Sequence, residues 1–346
     1  MSEPALCLPA EWEAQSGLLL TWPHGGTDFH ENLDAVDRVF VDISRHTSPH
    51  QVLVIACHDT VHKNHVDALL QHHAIPAHRY RLFIAPSNDI WARDHGPITV
   101  MRHGRPCLLD FIFNGWGGKY PAGLDNRITT RLHKATAFGA TPVESIDLVL
   151  EGGSIETDGQ GTLLTTTSCL LSPSRNRAHT RKQIESALAR YLGAKRILWF
   201  EHGHLQGDDT DGHIDNLIRF VNADTLVYTS CQDRRHPDFA SLGRMEAELG
   251  SLPKDNGKPY RLVALPLPVV LDDNHQHLPA SYANFLIIND AVLVPVYDVP
   301  ADEVALDILG DCFAGRSIIG IDCRPLIKQY GSLHCATMQL PEGVLM

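Results

Sequence analysis

Short apolar runs bounded by Gly, Pro, Asp or Asn alternate along the chain with stretches whose apolar residues recur every three to four positions. The runs "QVLVIAC" (51–57), "YRLFIA" (80–85), "TLLTT" (162–166), "TLVYTS" (225–230), "RLVALPL" (261–267) and "AVLVPVY" (291–297) predict strands. "ENLDAVDRVFVDI" puts Leu33, Val36, Val39, Phe40 and Ile43 on one helical face. "TRKQIESALARYLGA" does the same with Ile184, Leu188, Tyr191 and Leu192 before a stop at Gly193. The alternation predicts an α/β protein.

Four polar segments share a second pattern: "HGPITVMRHGRPCLLDF", "GGSIETDGQGTLLTT", "GHIDNLIRFVNADTLVYTS" and "SYANFLIINDAVLVPVYD". Each reads as a short strand, a turn on Gly, Asn or Asp, and a second apolar strand, which is a hairpin by turn chemistry. "GSLHCATMQL" reads as the first half of a fifth. The recurrence predicts several similar supersecondary units rather than a doubly wound sheet. No low-complexity linker or charge block divides the chain, so one domain over residues 1–346 is expected.

A formal charge of −12 and the lack of a Lys/Arg stripe disfavour nucleic acid as a partner and suit a small cation better. No run of about 18 apolar residues predicts a membrane span, and "MSEPALCLPAEWEAQ" lacks the basic start and apolar stretch of a leader, so a cytoplasmic protein is expected. The eight cysteines show no C-x-x-C spacing and read as reduced thiols, most of them packed as small hydrophobes.

Candidate chemistry gathers at four places. If "SLHCATMQL" is a strand, His334 and Cys335 point to opposite faces, and the cysteine must find its base on another element. The same period of two in "GDDTDGHIDN" puts His213 and Asp215 on one face, with Gly212 allowing a turn or close approach before them. "NDIWARDHGP" carries Asp89, Trp91, Arg93 and Asp94, and "LEGGSIETDG" puts Glu151 directly after an apolar strand.

These motifs carry a resemblance. Together with "EWEAQSGLLLTWP" they resemble, in order and from about Glu11 to Pro341, the signatures of agmatine deiminases and bacterial-type peptidylarginine deiminases of the guanidine-modifying superfamily. The resemblance implies a five-bladed, pseudo-symmetric α/β propeller (pentein) of ββαβ-type modules around an acidic pocket. It implies Cys335 as the nucleophile that forms a covalent amidino intermediate, and His213 as proton donor and acceptor. By the same analogy Asp94 and Asp215 grip the guanidinium, Glu151 orients His213, and Trp91 walls the pocket. Asp89, Asp208 and Asp209 are candidates for the rest of the substrate.

The expected reaction is agmatine to N-carbamoylputrescine plus ammonia, on a small cationic guanidine substrate, without metal or cofactor; an oligomer is possible. The alternative is conversion of arginyl to citrullyl groups. "YGSLHC" favours it, because agmatine deiminases usually carry "GGGNIHC" at this point. Two readings of other classes are a zinc hydrolase built on the histidines of "EHGHLQGDD" and "NHQHLP", and a non-catalytic binding module. The first lacks the i, i+4 histidine pair with an intervening glutamate that zinc proteases use.

Overall fold

Each polar-turn segment folds as the hairpin its turn residues dictate. Ile98–Arg102 pairs antiparallel with Arg105–Ile112, and the intervening His103 and Gly104 take φ of 49° and 73°, matching the twist of the flanking strands. Ile155–Thr157 pairs antiparallel with Thr162–Thr166, Ile218–Asn222 with Thr225–Ser230, and Leu286–Ile287 with Ala291–Val296. In all four, the second strand then takes a parallel neighbour: Val143–Val149, Arg196–Phe200, Arg261–Pro266 and Ser317–Asp322 respectively. The chain ends complete a fifth unit. Thr337–Pro341 pairs antiparallel with Gln15–Thr21, which continues in parallel to Val52–Cys57 and Tyr80–Ile84. The result is a mixed α/β fold of small sheets with one repeated pattern.

This structure, a computed structural model, describes residues 5–254 and 257–345. The expected single domain, 1–346, also takes in Met1–Pro4, Asp255, Asn256 and Met346, which lie outside the described residues. The helices start and stop where side-chain chemistry requires. Arg181–Leu192 is opened by a Thr180–Gln183 capping box and closed by Gly193 in the left-handed region. Leu33–Thr47 buries Val36, Val39, Phe40 and Ile43, the face expected from the sequence. No described helix is long and apolar enough to cross a membrane.

Two segments differ from expectation. "GDDTDGHIDN" is not a strand: it turns into a single 3-10 turn, Ile214–Asn216, where the Leu217 amide donates to the Ile214 carbonyl. "SLHC" is not a strand either, and extended structure begins only at Thr337. There the amides of Ala336 and Thr337 donate to the carbonyls of Ser332 and His334, and the His334 amide donates to Asn284 Oδ1 at 2.9 Å. Local and side-chain acceptors thus satisfy the backbone that a ladder would otherwise have paired.

The sheets are joined by buried charge. Arg219, its side chain fully buried, donates to Glu156 Oε2 at 2.7 Å, to the carbonyls of Ala283 and Phe285 at 3.0 Å each, and to Glu11 Oε2. Glu11 also accepts from Arg93 Nη1 at 3.1 Å and Gln339 Nε2 at 2.9 Å, and pairs with His334 Nε2 at 2.8 Å. Burial alone would raise the Glu11 carboxyl, but Arg219, His334 and Arg93 outweigh it and hold its pKa well below the usual range. Arg219→Met is expected to cost about 3–5 kcal/mol, since it takes the arginine from buried Glu156 and one of two arginines from Glu11; a lowered urea midpoint at unchanged slope would report it.

Candidate active site

The residues singled out from sequence come from turns at strand ends. Asp94 sits on the helical turn Ala92–His95, Glu151 precedes the turn Gly152–Ser154, His213 precedes Ile214–Asn216, and Asp215 lies within it. Cys335 lies in the turn before Thr337–Pro341. Relative exposures are 4% for Asp94, 0% for Glu151, 1% for His213, 0% for Asp215 and 6% for Cys335. Burying that many ionisable groups is costly unless they are paired or reserved for a ligand.

Their convergence is read at Gly153. A Cβ there would lie 2.6 Å from His213 Nδ1, 2.9 Å from Asp215 Oδ2 and 2.9 Å from Asp94 Oδ1, so only glycine fits. The Gly153 amide donates to Asp94 Oδ1 at 3.1 Å, and His213 Nδ1 stands 3.6 Å from the same oxygen. Trp116 Nε1 donates to the other Asp94 oxygen at 3.0 Å. His213 and Asp215 therefore come together, though through a turn rather than a shared strand face.

His334 is tied away from its neighbour Cys335. Its Nδ1 pairs with Asp215 Oδ2 and its Nε2 with Glu11 Oε1, both at 2.8 Å. The expectation that His334 is not the base of Cys335 agrees with this geometry, but strand alternation is not the reason. Asn284, which the sequence reading missed, contacts the thiol: its Nδ2 lies 3.3 Å from Cys335 Sγ and also donates to Asn216 Oδ1 at 2.8 Å. The one available signal was a polar residue inside the apolar "YANFLII".

Electrostatics divide these groups. Burial, then Asp215 and Asp94, raise the Cys335 thiol well above its ordinary value, with Asn284 and the Ser332 backbone opposing. Burial also raises Asp94 to about 6, helped by Asp215 and Glu151 and opposed by His213. For His213 burial disfavours the charged ring, yet Asp94, Cys169 and Glu151 outweigh it and the pKa lies well above the usual value. Asp215 goes the other way: His334, His213 and Arg219 overcome burial and keep it ionised. Asp215 Oδ1 and both His213 nitrogens are buried without a hydrogen-bond partner among the described residues.

Glu151 lies beside His213, but both its oxygens accept from Arg175 Nε, at 2.9 and 3.0 Å. Cys335 and Asp94 line a pocket with Trp91, Trp116, Tyr120 and Tyr330 and the carboxyl groups of Asp28, Asp89 and Asp209. Among the described residues no Lys or Arg lines it. Burial and the neighbouring Asp125 and Asp28 push Asp89 up to about 8. Asp209 accepts from Tyr120 Oη at 2.8 Å. Asp208 is not part of the pocket: it accepts from the amides of Thr210 and Gly212 and folds its own loop. Trp91 packs flat against Gly331, where a Cβ would fall 2.3 Å from the indole.

The histidines of "EHGHLQGDD" and "NHQHLP" are half-buried or exposed. Among the described residues the metal-competent group is a different one, Glu151, Cys169 and His213.

A family model described as Porphyromonas-type peptidyl-arginine deiminase matches residues 7–341. A protein of Vibrio parahaemolyticus serotype O3:K6 named "Putative agmatine deiminase" is 34% identical, with 96% of each chain covered. The crystal structure titled "Putative Arginine Deiminase from Porphyromonas gingivalis" superimposes with a TM-score of 0.92 at 47% identity, over 99% of this chain and 100% of that one. A substrate-bound agmatine deiminase variant from C. jejuni superimposes with a TM-score of 0.89 at 32% identity, over 98% of this chain and 97% of that one.

Gly153→Ala drives a methyl among three of these side chains. It is expected to lower ammonia release from a guanidine substrate at least about 100-fold, with the circular dichroism spectrum of the folded chain retained.

Proposed function

The chain belongs to the Porphyromonas-type peptidyl-arginine deiminase family and is an enzyme, a hydrolase of amidine C–N bonds; on that premise we propose that it deiminates agmatine to N-carbamoylputrescine and ammonia. The observation that carries this reading is the pocket. A thiol and Asp94 share it with three further acidic side chains, and among the described residues no Lys or Arg lines it. Agmatine has a cation at each end and no carboxylate, whereas free arginine would bring an α-carboxylate into a field of acids.

In the proposed mechanism, the guanidinium lies flat between Asp94 and Asp215, and Asp215 Oδ1 accepts one of its N–H groups. Its positive charge offsets the two carboxylates that hold the Cys335 thiol up, so substrate binding promotes loss of the thiol proton to solvent. The thiolate forms an S–C bond to the guanidinium carbon. His213, charged in the free enzyme, gives its proton to the departing nitrogen as the C–N bond breaks and ammonia leaves. It then takes a proton from water, which adds to the amidino carbon; the S–C bond breaks, the remaining hydroxyl proton leaves to solvent as the C=O bond forms, and the thiolate returns. Asn284 hydrogen-bonds the sulfur throughout, and Glu151, held by Arg175, favours the charged imidazole.

Trp91 packs along the alkyl chain, and Asp89, Asp209 and Asp28 receive the ammonium end. We read the sheets as five blades of one domain around the Glu11–Arg219 ion network. Peptidyl arginine, which also brings no α-carboxylate, is the second reading, favoured by "YGSLHC" and by an exposed Tyr330 at the pocket.

Ammonia release measured side by side on agmatine, free arginine and a blocked arginine peptide tests the choice. Agmatine is expected to be turned over fastest; a faster peptide would transfer the assignment to the second reading. Cys335→Ala should lose about 10⁴-fold or more, and retained turnover in that variant would refute the covalent route. Activity in the wild type should survive a chelator and be lost to iodoacetamide, and the reverse would support a metal hydrolase.

The pH dependence follows from Asp94. Its carboxyl must be ionised to bind the cation, and its pKa in the free enzyme is about 6. With that group alone limiting, kcat/KM for agmatine should fall about tenfold per pH unit as pH drops below that value. Asp94→Asn should remove this acid limb.

A further inference from the structure

The mechanism above uses the buried thiol of Cys335; a second buried thiol lies beside His213. Cys169, fully buried on the helical turn Thr167–Leu170, has no part in it. Yet its sulfur, a ring nitrogen of His213 and a carboxylate oxygen of Glu151 all lie within 4.8 Å of one another. We propose that Cys169, His213 and Glu151 form a binding site for a thiophilic divalent cation of the zinc class, and that its occupation arrests the catalytic histidine.

Three observations on separate chain segments carry the proposal. The donor set is thiol, imidazole and carboxylate, which favours zinc over the oxygen-seeking magnesium or calcium. Zinc bonds of about 2.3 Å to sulfur and about 2.0–2.2 Å to nitrogen and oxygen set tetrahedral donors about 3.3–3.6 Å apart, so closure needs shifts of about 1 Å. His213 is 1% exposed and neither ring nitrogen has a partner among the described residues. With Nδ1 turned toward Asp94 Oδ1 at 3.6 Å, the ring has its second nitrogen to offer.

The carboxylate is held in place. Arg175 bonds both Glu151 oxygens through Nε, and its Nη1 pairs with Asp211 Oδ2 at 2.6 Å. Each Glu151 oxygen keeps a second lone pair for a metal. On binding, the Cys169 S–H bond breaks, its proton leaves to solvent and a sulfur–metal bond forms. A ring ligated at one nitrogen cannot become the imidazolium that gives its proton to the departing nitrogen, so ammonia release stops. Only this inhibitory consequence rests on the deiminase reading.

Cobalt(II) added to the full chain carrying Cys335→Ser tests the site without turnover, because that variant lacks the other active-site thiol. A thiolate-to-cobalt charge-transfer band is expected, displaced by zinc and abolished by a chelator. It should vanish when Cys169→Ser is added. No band in Cys335→Ser alone, or a band that persists after Cys169→Ser, overturns the proposal, and the first result stands even if the double variant does not fold. In the wild type, zinc should inhibit ammonia release from agmatine, reversibly by chelator, and Cys169→Ser should weaken that inhibition at least about tenfold. If the band forms as expected but no guanidine is turned over, the deiminase reading fails and the metal site stands.

Discussion

A single carboxylate, Glu11, is the joint on which the architecture depends. It sits ahead of the first strand of the N-terminal sheet and meets Arg93, Arg219, His334 and Gln339, which belong to other segments of the chain. Arg219 carries the connection on to Glu156 and to the carbonyls of Ala283 and Phe285. Desolvating that many charges is tolerable only when each finds its partners, so the segments must arrive together. Small sheets that also share apolar clusters thereby acquire one charged centre.

The candidate site is built on the edge of that centre. Arg93 and Asp94 are neighbours, as are His334 and Cys335, and in each pair one residue is anchored in the ion network while the other faces the pocket. His334 goes further and grips Asp215 directly. Stability and chemistry therefore share residues but not roles. The network fixes where Asp94 and Cys335 stand, and among the described residues Asp215 Oδ1 and the His213 nitrogens keep no hydrogen-bond partner. The two histidines show the division: His334, between Asp215 and Glu11 but repelled by Arg219 and Arg93 and buried, titrates below its usual range, whereas His213 titrates above it.

Much was legible in the chain itself. Strand runs, the helix over Leu33–Thr47, the helix stop at Gly193 and four hairpins follow from local periodicity and turn chemistry, and the structure places them where the patterns do. The segments bearing Asp94, Glu151, His213, Asp215 and Cys335 stood out because polar residues interrupt apolar runs beside glycines. Where local rules were carried into those segments they misled. A strand's period of two fits neither "GDDTDGHIDN" nor "SLHC", because side-chain and short-range acceptors satisfy their backbones in place of a ladder. Arg175 and Cys169 carried no local signal, and Asn284 only that of a polar residue inside an apolar run, since each matters through a partner far away in sequence.

What the sequence determined by itself was the inventory: which stretches are strands, helices or hairpins, and which residue types are available for nucleophilic and acid–base work. Such properties depend on neighbours within a few positions. Tertiary structure alone decided that the last strand pairs with the first sheet, that Glu151 bonds Arg175 beside His213, and that Gly153 lets His213, Asp94 and Asp215 meet. Those are facts of distance between remote residues, and both the pKa values and the pocket follow from distance.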